Sequence, residues 1–529
     1  MNIFMNTKQL IYLINFCMMV MLMSRCTQQN YDIVIKNGTV YDGKGGEACK
    51  ADIGITDGVI MGIGKNLSAG NGSVIDASGM IIAPGFIDIH THCDGQVLDE
   101  GMNSLKNYLM QGVTTVVTGN CGDGNWDIDQ FFRRLDAMGT GTNIVHLAGH
   151  NYIRNKVMGM DDRDPTEAEL EEMKKLVRTA MEGGAAGMST GLFYTPGTYS
   201  KTSEIVELAE VVKEYGGIYA THLRDESDYN IGLEEAVREA VLIGEQSGVR
   251  VQISHIKALG KPVWGMSGKI CSIIEEARDR GVTIFADQYP YNASSTGLAS
   301  AIVPSWVRAG GMMRANLSDG GKLPEIKKEI EENIERRGGP ESLVIVSYPK
   351  DNRFDGKNLA EISALKDMPV VETAIALILE DSPSIISFNM KYSDIATFMQ
   401  KDYVMTCSDG HIEAPGDNKP HPRNYGTFTR KIRKYVLEDE LITMEHAIRA
   451  ATSLPAEMIG LSNRGSLEEG KIADIVIFDP GSIRDNATFD YPHQYSSGIQ
   501  YLLVNGEVVI DDGKYNGKLA GNALRLPDL

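Results

Sequence analysis

Between residues 87 and 407 the sequence returns eight times to one pattern, a short apolar run of strand length and then a longer polar stretch with helical periodicity. Strands read at 87–92, 113–118, 143–147, 186–190, 217–222, 249–255, 282–286 and 403–407. Helices read between them, as at 233–247 and at 165–183, where Leu170, Met173 and Leu176 share one face. Strand, helix and parallel strand make a βαβ unit, and eight such units close on themselves. The expected fold class is therefore α/β, a (β/α)8 TIM-like barrel, with its active site at the carboxyl ends of the strands.

Those ends carry a selected set of residues. Pro84-Gly85 turns the chain into the first strand, which ends in His90-Thr-His92. A period of two puts both imidazoles on one face. Cys121 follows the second strand, His222 and His255 end the fifth and sixth, and Asp409 follows the eighth. All are metal-ligand types, and four of the ten histidines fall at three strand ends. His146 inside a strand, His446 inside a helix and His493 in a terminal loop read as structural. A thiolate with two imidazoles suits Zn²⁺ and leaves a fourth position open, which makes Cys121, His222 and His255 the expected tight site. His90, His92 and Asp409 offer a second, weaker site beside it, and Cys121 can bridge the two. Asp409 is the expected general base, taking a proton from an activated water.

Both flanks are short β. Residues 31–76 carry strand runs broken at Asn37-Gly38 and Asp57-Gly58, and 473–478 and 501–510 repeat that alternation around Asn505-Gly506. One β-sandwich domain built from 31–80 and 460–529 is expected to flank a barrel at 81–459. About a hundred residues separate the seventh and eighth strands, too many for a loop, so an inserted subdomain is expected at about 302–400. Its charged stretch at 323–337 reads as a helix with a solvated face.

A net charge of −20 argues against a nucleic-acid partner and means that any acid the protein binds needs a local cation. Residues 1–26 read as an export leader, with Lys8 ahead of an apolar run from Leu10 to Met23. Cys26 after Leu-Met-Ser-Arg25 resembles the cleavage box of bacterial lipoproteins, though Arg25 stands where a small residue belongs. The expectation is an exported, periplasmic protein tethered to the membrane through a lipidated Cys26, with simple secretion next and an uncleaved anchor third. The other five cysteines show no disulfide spacing and read as free thiols.

From about Tyr31 onward the chain resembles the D-aminoacylases, or N-acyl-D-amino-acid deacylases, of the amidohydrolase superfamily. The likeness rests on Pro84-Gly-Phe-Ile-Asp-Ile-His-Thr-His92, Gly112-Val-Thr-Thr-Val-Val-Thr-Gly-Asn-Cys-Gly122, Gly187-Met-Ser-Thr-Gly-Leu-Phe-Tyr194, Thr221-His-Leu-Arg224, Gln252-Ile-Ser-His-Ile-Lys257, Asp287-Gln-Tyr-Pro-Tyr291 and Ser408-Asp-Gly410. Cys121 in its Gly-Asn-Cys-Gly setting is the most specific of these, because most of the superfamily uses a carboxylated lysine on the fourth strand. The resemblance implies hydrolysis of N-acyl-D-amino acids to a carboxylate and a D-amino acid. It implies Cys121, His222 and His255 as tight zinc ligands, His90 and His92 as a weaker site, and Asp409 as base. Lys257, Arg423, Tyr194 and Tyr289 are implied to hold the substrate's carboxylate. Ile256 departs from the family pattern, where a second histidine is frequent, and bears on pocket shape. The alternatives are a related dipeptidase or cyclic-amide hydrolase, and a lipid-tethered binding protein without catalysis.

Overall fold

The apolar run that enters the first barrel strand is shared between two sheets. In the computed structural model, which describes residues 30–526, Ile81–Pro84 pairs antiparallel with Ile475–Phe478 in a flanking sheet, and Phe86–Asp88 pairs with the barrel. Gly85 makes the change of sheet. A Cβ there would lie 2.3 Å from the Thr114 side chain, so only glycine lets the two backbones pass so closely. The domain boundary therefore falls at Gly85 and not at residue 81.

Eight parallel strands form the barrel: β1 (Phe86–Asp88), β2 (Val113–Thr118), β3 (Asn143–Gly149), β4 (Gly187–Gly191), β5 (Ile218–His222), β6 (Arg250–Ile253), β7 (Ile284–Gln288) and β8 (Val404–Thr406). They lie in chain order from β1 to β8. The cylinder closes beyond the regular strands, where Thr91 bridges Gly410, His92 N–H donates to Gly410 at 2.8 Å and Asp409 N–H donates to the His90 carbonyl at 2.9 Å. This seam joins the segment after β1 to the segment after β8. The expected strand 87–92 is accordingly shorter, because the chain from Ile89 onward leaves the regular ladder to make the closure.

Apolar residues of the barrel and its helices form the largest core. The helix Glu167–Glu182 begins on a capping box, with Thr166 and Glu169 bonding reciprocally, and buries Met173 and Leu176. At the flank, a four-stranded and a seven-stranded sheet pack over a second core of Ile35, Ile53, Ile475, Ile477 and Leu503. The seven-stranded sheet mixes strands from both ends of the chain.

The insertion starts earlier than residue 302. Ser294–Gly297 pairs with Ser384–Ser387, which also pairs with Leu343–Ile345, so the three-stranded sheet opens directly after β7. It also ends earlier than 400, since the helix Tyr392–Met399 packs against the barrel helix Ser267–Asp279. The insertion has its own core, containing Leu298, Ile326, Ile330, Ile334, Leu377 and Ile385. The three isoleucines spaced four apart explain the charged stretch: Leu323–Arg336 is an amphipathic helix with one buried stripe. The leader, with Cys17 and Cys26, lies outside the described residues.

Candidate active site

The closure of the barrel makes the site. His90 and His92 flank the bridging Thr91, Asp409 sits across the seam, and their side chains meet: His92 Nε2 lies 3.1 Å and His90 Nε2 3.6 Å from Asp409 Oδ1. Cys121 is delivered from the loop after β2. Ser189 on β4 stitches that loop down, donating to the Gly119 carbonyl at 2.5 Å and accepting the Gly122 N–H at 3.0 Å. Gly119 and Gly122 both have positive φ, and a Cβ on either would strike neighbouring atoms at 2.3 Å.

Three imidazole nitrogens surround the thiol at nearly one distance. Cys121 Sγ lies 3.5 Å from His90 Nε2, 3.6 Å from His222 Nδ1 and 3.5 Å from His255 Nε2. Thiolate and imidazole bonded to one tetrahedral zinc stand about 3.6 Å apart, from bond lengths of about 2.3 and 2.05 Å. The donor set therefore fits the ion. Donor groups converge as His90, Cys121 and His255, as His90, His92 and Asp409, and as His222, Glu226 and His255. His90 belongs to both the thiol cluster and the Asp409 cluster, where sequence reasoning had assigned it only to the second.

Backbone strain concentrates at the same place. Cys121, His255 and Asp409 all have positive φ, at 53°, 35° and 50°. Each non-glycine residue held there costs about 1–3 kcal/mol, which the surrounding hydrogen bonds must over-determine.

Electrostatics prepare each group for its role. Burial drives His222 well below its ordinary pKa, and it drives His90 down to about 4 against the pull of Asp287 and Asp409, so both rings are neutral donors. Burial, with Asp409 and Asp123 close by, pushes the Cys121 thiol well up, so a thiolate here requires a bound cation. Burial also opposes the charge on Asp409, but Arg423, His255 and His92 outweigh it and hold the carboxyl well below the usual range. Asp287 supports the set from below, accepting from His255 N–H at 2.7 Å and Gln252 Nε2 at 2.6 Å.

The expected carboxylate-holding residues line the same cavity of about 410 Å³, although neither cation is free. Arg423 Nη1 donates to Asp409 Oδ2 at 2.6 Å, while its Nε has no partner and its guanidinium lies 4.8 Å over the Tyr289 ring. Lys257 Nζ sits 2.5 Å from Glu226 Oε1 and 2.7 Å from His255 Nδ1. The buried Tyr289 hydroxyl has no partner, and Tyr194 bonds Thr296 at 3.2 Å. Ile256 is buried in the barrel core and is absent from the cavity lining.

Sequence reasoning passed over four members of the site. Glu226 lies on the loop after β5, four residues beyond His222, and its Oε1 lies 3.1 Å from His255 Nδ1. Asp287 is the last residue but one of β7, within a segment already singled out. His411 stacks on His92, with ring centroids 5.4 Å apart. Arg337 reaches the cavity from the insertion, and nothing in its local sequence announces that. His146, His446 and His493 lie elsewhere: His146 is buried against Phe131, His446 Nε2 bonds the Met399 carbonyl and His493 bonds Tyr425.

Comparison with known proteins places this architecture. The pattern described as "Amidohydrolase family" matches residues 73–294 and 391–510, and the N-terminal domain of the urease alpha-subunit matches 18–87. The gap between the two amidohydrolase segments holds most of the insertion. D-aminoacylase of Alcaligenes xylosoxydans xylosoxydans is 33% identical, over 95% of this chain and 99% of its own. N-acyl-D-glutamate deacylase of the same organism is 34% identical, over 90% and 93%. Among solved structures, N-acyl-D-glutamate deacylase from Bordetella bronchiseptica, complexed with zinc and a phosphonate mimic of the tetrahedral intermediate, superposes with a TM-score of 0.79 at 33% identity, over 94% of this chain and 100% of its own. A crystal structure of D-aminoacylase gives the same TM-score at 30% identity, with the same coverage. The chain belongs to the amidohydrolase family, in its group of D-aminoacylases and N-acyl-D-amino-acid deacylases.

Proposed function

We propose that this protein is a zinc-dependent hydrolase that cleaves the amide bond of N-acyl-D-amino acids, releasing a carboxylate and a D-amino acid. The observation that carries the reading is the ring of three imidazole nitrogens at 3.5–3.6 Å around Cys121 Sγ, beside an ionised Asp409, in a chain that matches D-aminoacylase along its length. Cys121, His222 and His255 would hold the tight zinc, with His90 and His92 completing a second, weaker position next to Asp409. Zinc bound there supplies Lewis acidity to the amide carbonyl and lowers the pKa of water toward about 7.

The chain's own residues do the rest. Arg423 pins Asp409 Oδ2, which leaves Oδ1 facing His90 and His92 to collect a proton from the attacking water. Asp409 then returns that proton to the leaving nitrogen. The α-carboxylate of the substrate is received by the unpartnered edge of Arg423, with Lys257 and the hydroxyls of Tyr289 and Tyr194 in support. Burial keeps the Tyr289 phenol protonated, so it donates to an anion. A carboxylate fixed at one end, a carbonyl fixed at the other and a walled side-chain pocket suffice to separate D from L.

The test is elemental analysis of purified protein with turnover of a panel of N-acetyl-D- and N-acetyl-L-amino acids. Bound zinc and hydrolysis confined to the D series are expected. Turnover of the L series alone would overturn the reading. We also propose that the leader at 1–26 exports the chain to the periplasm and that Cys26 carries a lipid tether. Wild type should then fractionate with membranes and Cys26→Ser should be released, whereas soluble wild-type protein would exclude the tether.

A further inference from the structure

His222 and His255 present opposite nitrogens to the thiol. His222 turns Nδ1 to Cys121 Sγ at 3.6 Å, whereas His255 turns Nε2 to it at 3.5 Å. A neutral imidazole has one lone pair and one N–H, so a ring can offer its lone pair to a metal only if its proton sits on the far nitrogen. That nitrogen is Nε2 in His222 and Nδ1 in His255. The two rings therefore need opposite tautomers.

Both far nitrogens face one carboxylate. Glu226 Oε1 lies 3.1 Å from His255 Nδ1, and Glu226 Oε2 lies 3.7 Å from His222 Nε2, a nitrogen without a hydrogen-bond partner among the described residues. All three side chains are buried. The loop holds Glu226 firmly: its backbone carbonyl accepts the Leu259 N–H at 2.9 Å, and the neighbouring Asp225 gathers the N–H groups of Ser227, Asn230 and Gly232. Lys257 is both counter-charge and rival. Its Nζ lies 2.5 Å from Glu226 Oε1 and 2.7 Å from His255 Nδ1, and an ammonium has only donors to offer. A bond from Lys257 into Nδ1 would leave the ring proton on Nε2, aimed at Cys121. A bond from His255 Nδ1–H to Oε1 instead leaves the Nε2 lone pair free, with Lys257 sharing the same oxygen.

We propose that Glu226 is a positioning residue that fixes the protons of His222 and His255 on the side away from Cys121, so that one group readies both imidazole donors of the tight site. The inference rests on the zinc-dependent deacylase reading and adds what prepares its ligands. A carboxylate suits the task because both of its oxygens accept. Glutamine has the same shape but one acceptor and one NH2 donor, so whichever way it turns it serves one ring and sets a donor against the other. With the Lys257 ammonium against Oε1, Glu226 backs the ligands and is not one itself. Carboxylates behind metal-bound imidazoles orient the ring and raise its basicity.

The experiment titrates purified holoenzyme with a chelator and follows the zinc retained by wild type, Glu226→Gln, Glu226→Asp, Lys257→Met and the Glu226→Gln/Lys257→Met pair. Tm is recorded for each, and the cobalt-substituted forms are examined by absorption. Glu226→Gln should hold zinc roughly ten- to a hundredfold more weakly. Its cobalt form should keep the thiolate-to-metal charge-transfer band, since Cys121 is untouched, while the d–d bands shift as one ring disengages. Adding Lys257→Met should recover part of the affinity, because the rival donor at His255 Nδ1 is gone. A merely structural role would lower Tm and leave zinc affinity and cobalt bands of the folded protein as in wild type, and that result overturns the proposal. So does a double variant that holds zinc no better than Glu226→Gln. Glu226→Asp keeps the charge that Lys257 needs but is one methylene short, so it too should weaken zinc; unchanged affinity there overturns the proposal even if the Gln variant fails to fold. Wild type that binds zinc and hydrolyses the D series, beside Glu226 variants that hold zinc as tightly, defeats this inference alone. Wild type without zinc defeats both this inference and the zinc-dependent reading.

Discussion

The metal end of the cavity and its insertion wall treat buried charge differently. At the metal end Asp409 meets Arg423 and Glu226 meets Lys257 inside the chain, and three residues accept strained backbone to reach position. On the insertion wall Arg337 bonds a phenol and a carbonyl. Groups that perform chemistry must hold their geometry before substrate arrives, because reorganisation during the reaction is costly. The division also follows the domains, since the barrel closes around the chemistry while an insertion with its own core supplies the far wall.

The sharpest way to break this comparison is to remove the thiol. Cys121→Ala should lose both zinc and activity, because the remaining imidazoles no longer have the thiolate around which they are arranged. A variant that keeps stoichiometric zinc would show that the imidazoles alone make the site. Next in size, Asp409→Asn should retain zinc while kcat falls roughly a hundredfold or more, since an amide cannot accept the proton. Near-normal kcat would place the base on another residue.

A smaller effect is expected at Arg423, which bonds Asp409 and is placed to receive the substrate's carboxylate. Arg423→Lys cannot reach Asp409 and a substrate carboxylate in one plane, so KM for N-acetyl-D-amino acids should rise about tenfold with zinc unchanged. Their α-amides, which lack the anion, should change less. Equal change in both would confine Arg423 to orienting Asp409. Smallest in its effect on the chemistry, Leu377→Ala opens a hole in the insertion core and should cost ~2–5 kcal/mol of stability. Calorimetry should show the loss while zinc content stays intact. Loss of zinc as well would mean that insertion and barrel unfold as one unit.

Much of this molecule was written locally. Alternating apolar runs, Asn-Gly and Asp-Gly turns and the Thr166 capping box mark strands, hairpins and helices from their own residues, and eight repeats of one unit leave few closed folds besides a barrel. The ligands were legible because chemistry restricts them to a few residue types, and a barrel confines its chemistry to the strand ends. Cys121 in its glycine-flanked turn, His222, His255 and Asp409 could all be found from residue type and position alone.

What the sequence could not determine is anything that depends on which groups meet across the fold. Pro84-Gly85 reads as a turn into the first strand, but that the residues on its two sides belong to two different sheets, with the Thr114 side chain standing where a Cβ on Gly85 would be, is a tertiary fact. His90 shares in both metal clusters because the barrel seam draws the segments after β1 and β8 together, residues more than three hundred positions apart. Arg423 and Lys257 read as holders of the substrate's carboxylate, and the structure pairs them with Asp409 and Glu226, while Arg337, which reads as part of a solvated helix, is buried in the cavity wall. A side chain's type is carried in the sequence. Its charge balance is a sum over neighbours at distances of a few ångströms, and only the closed tertiary structure sets those distances.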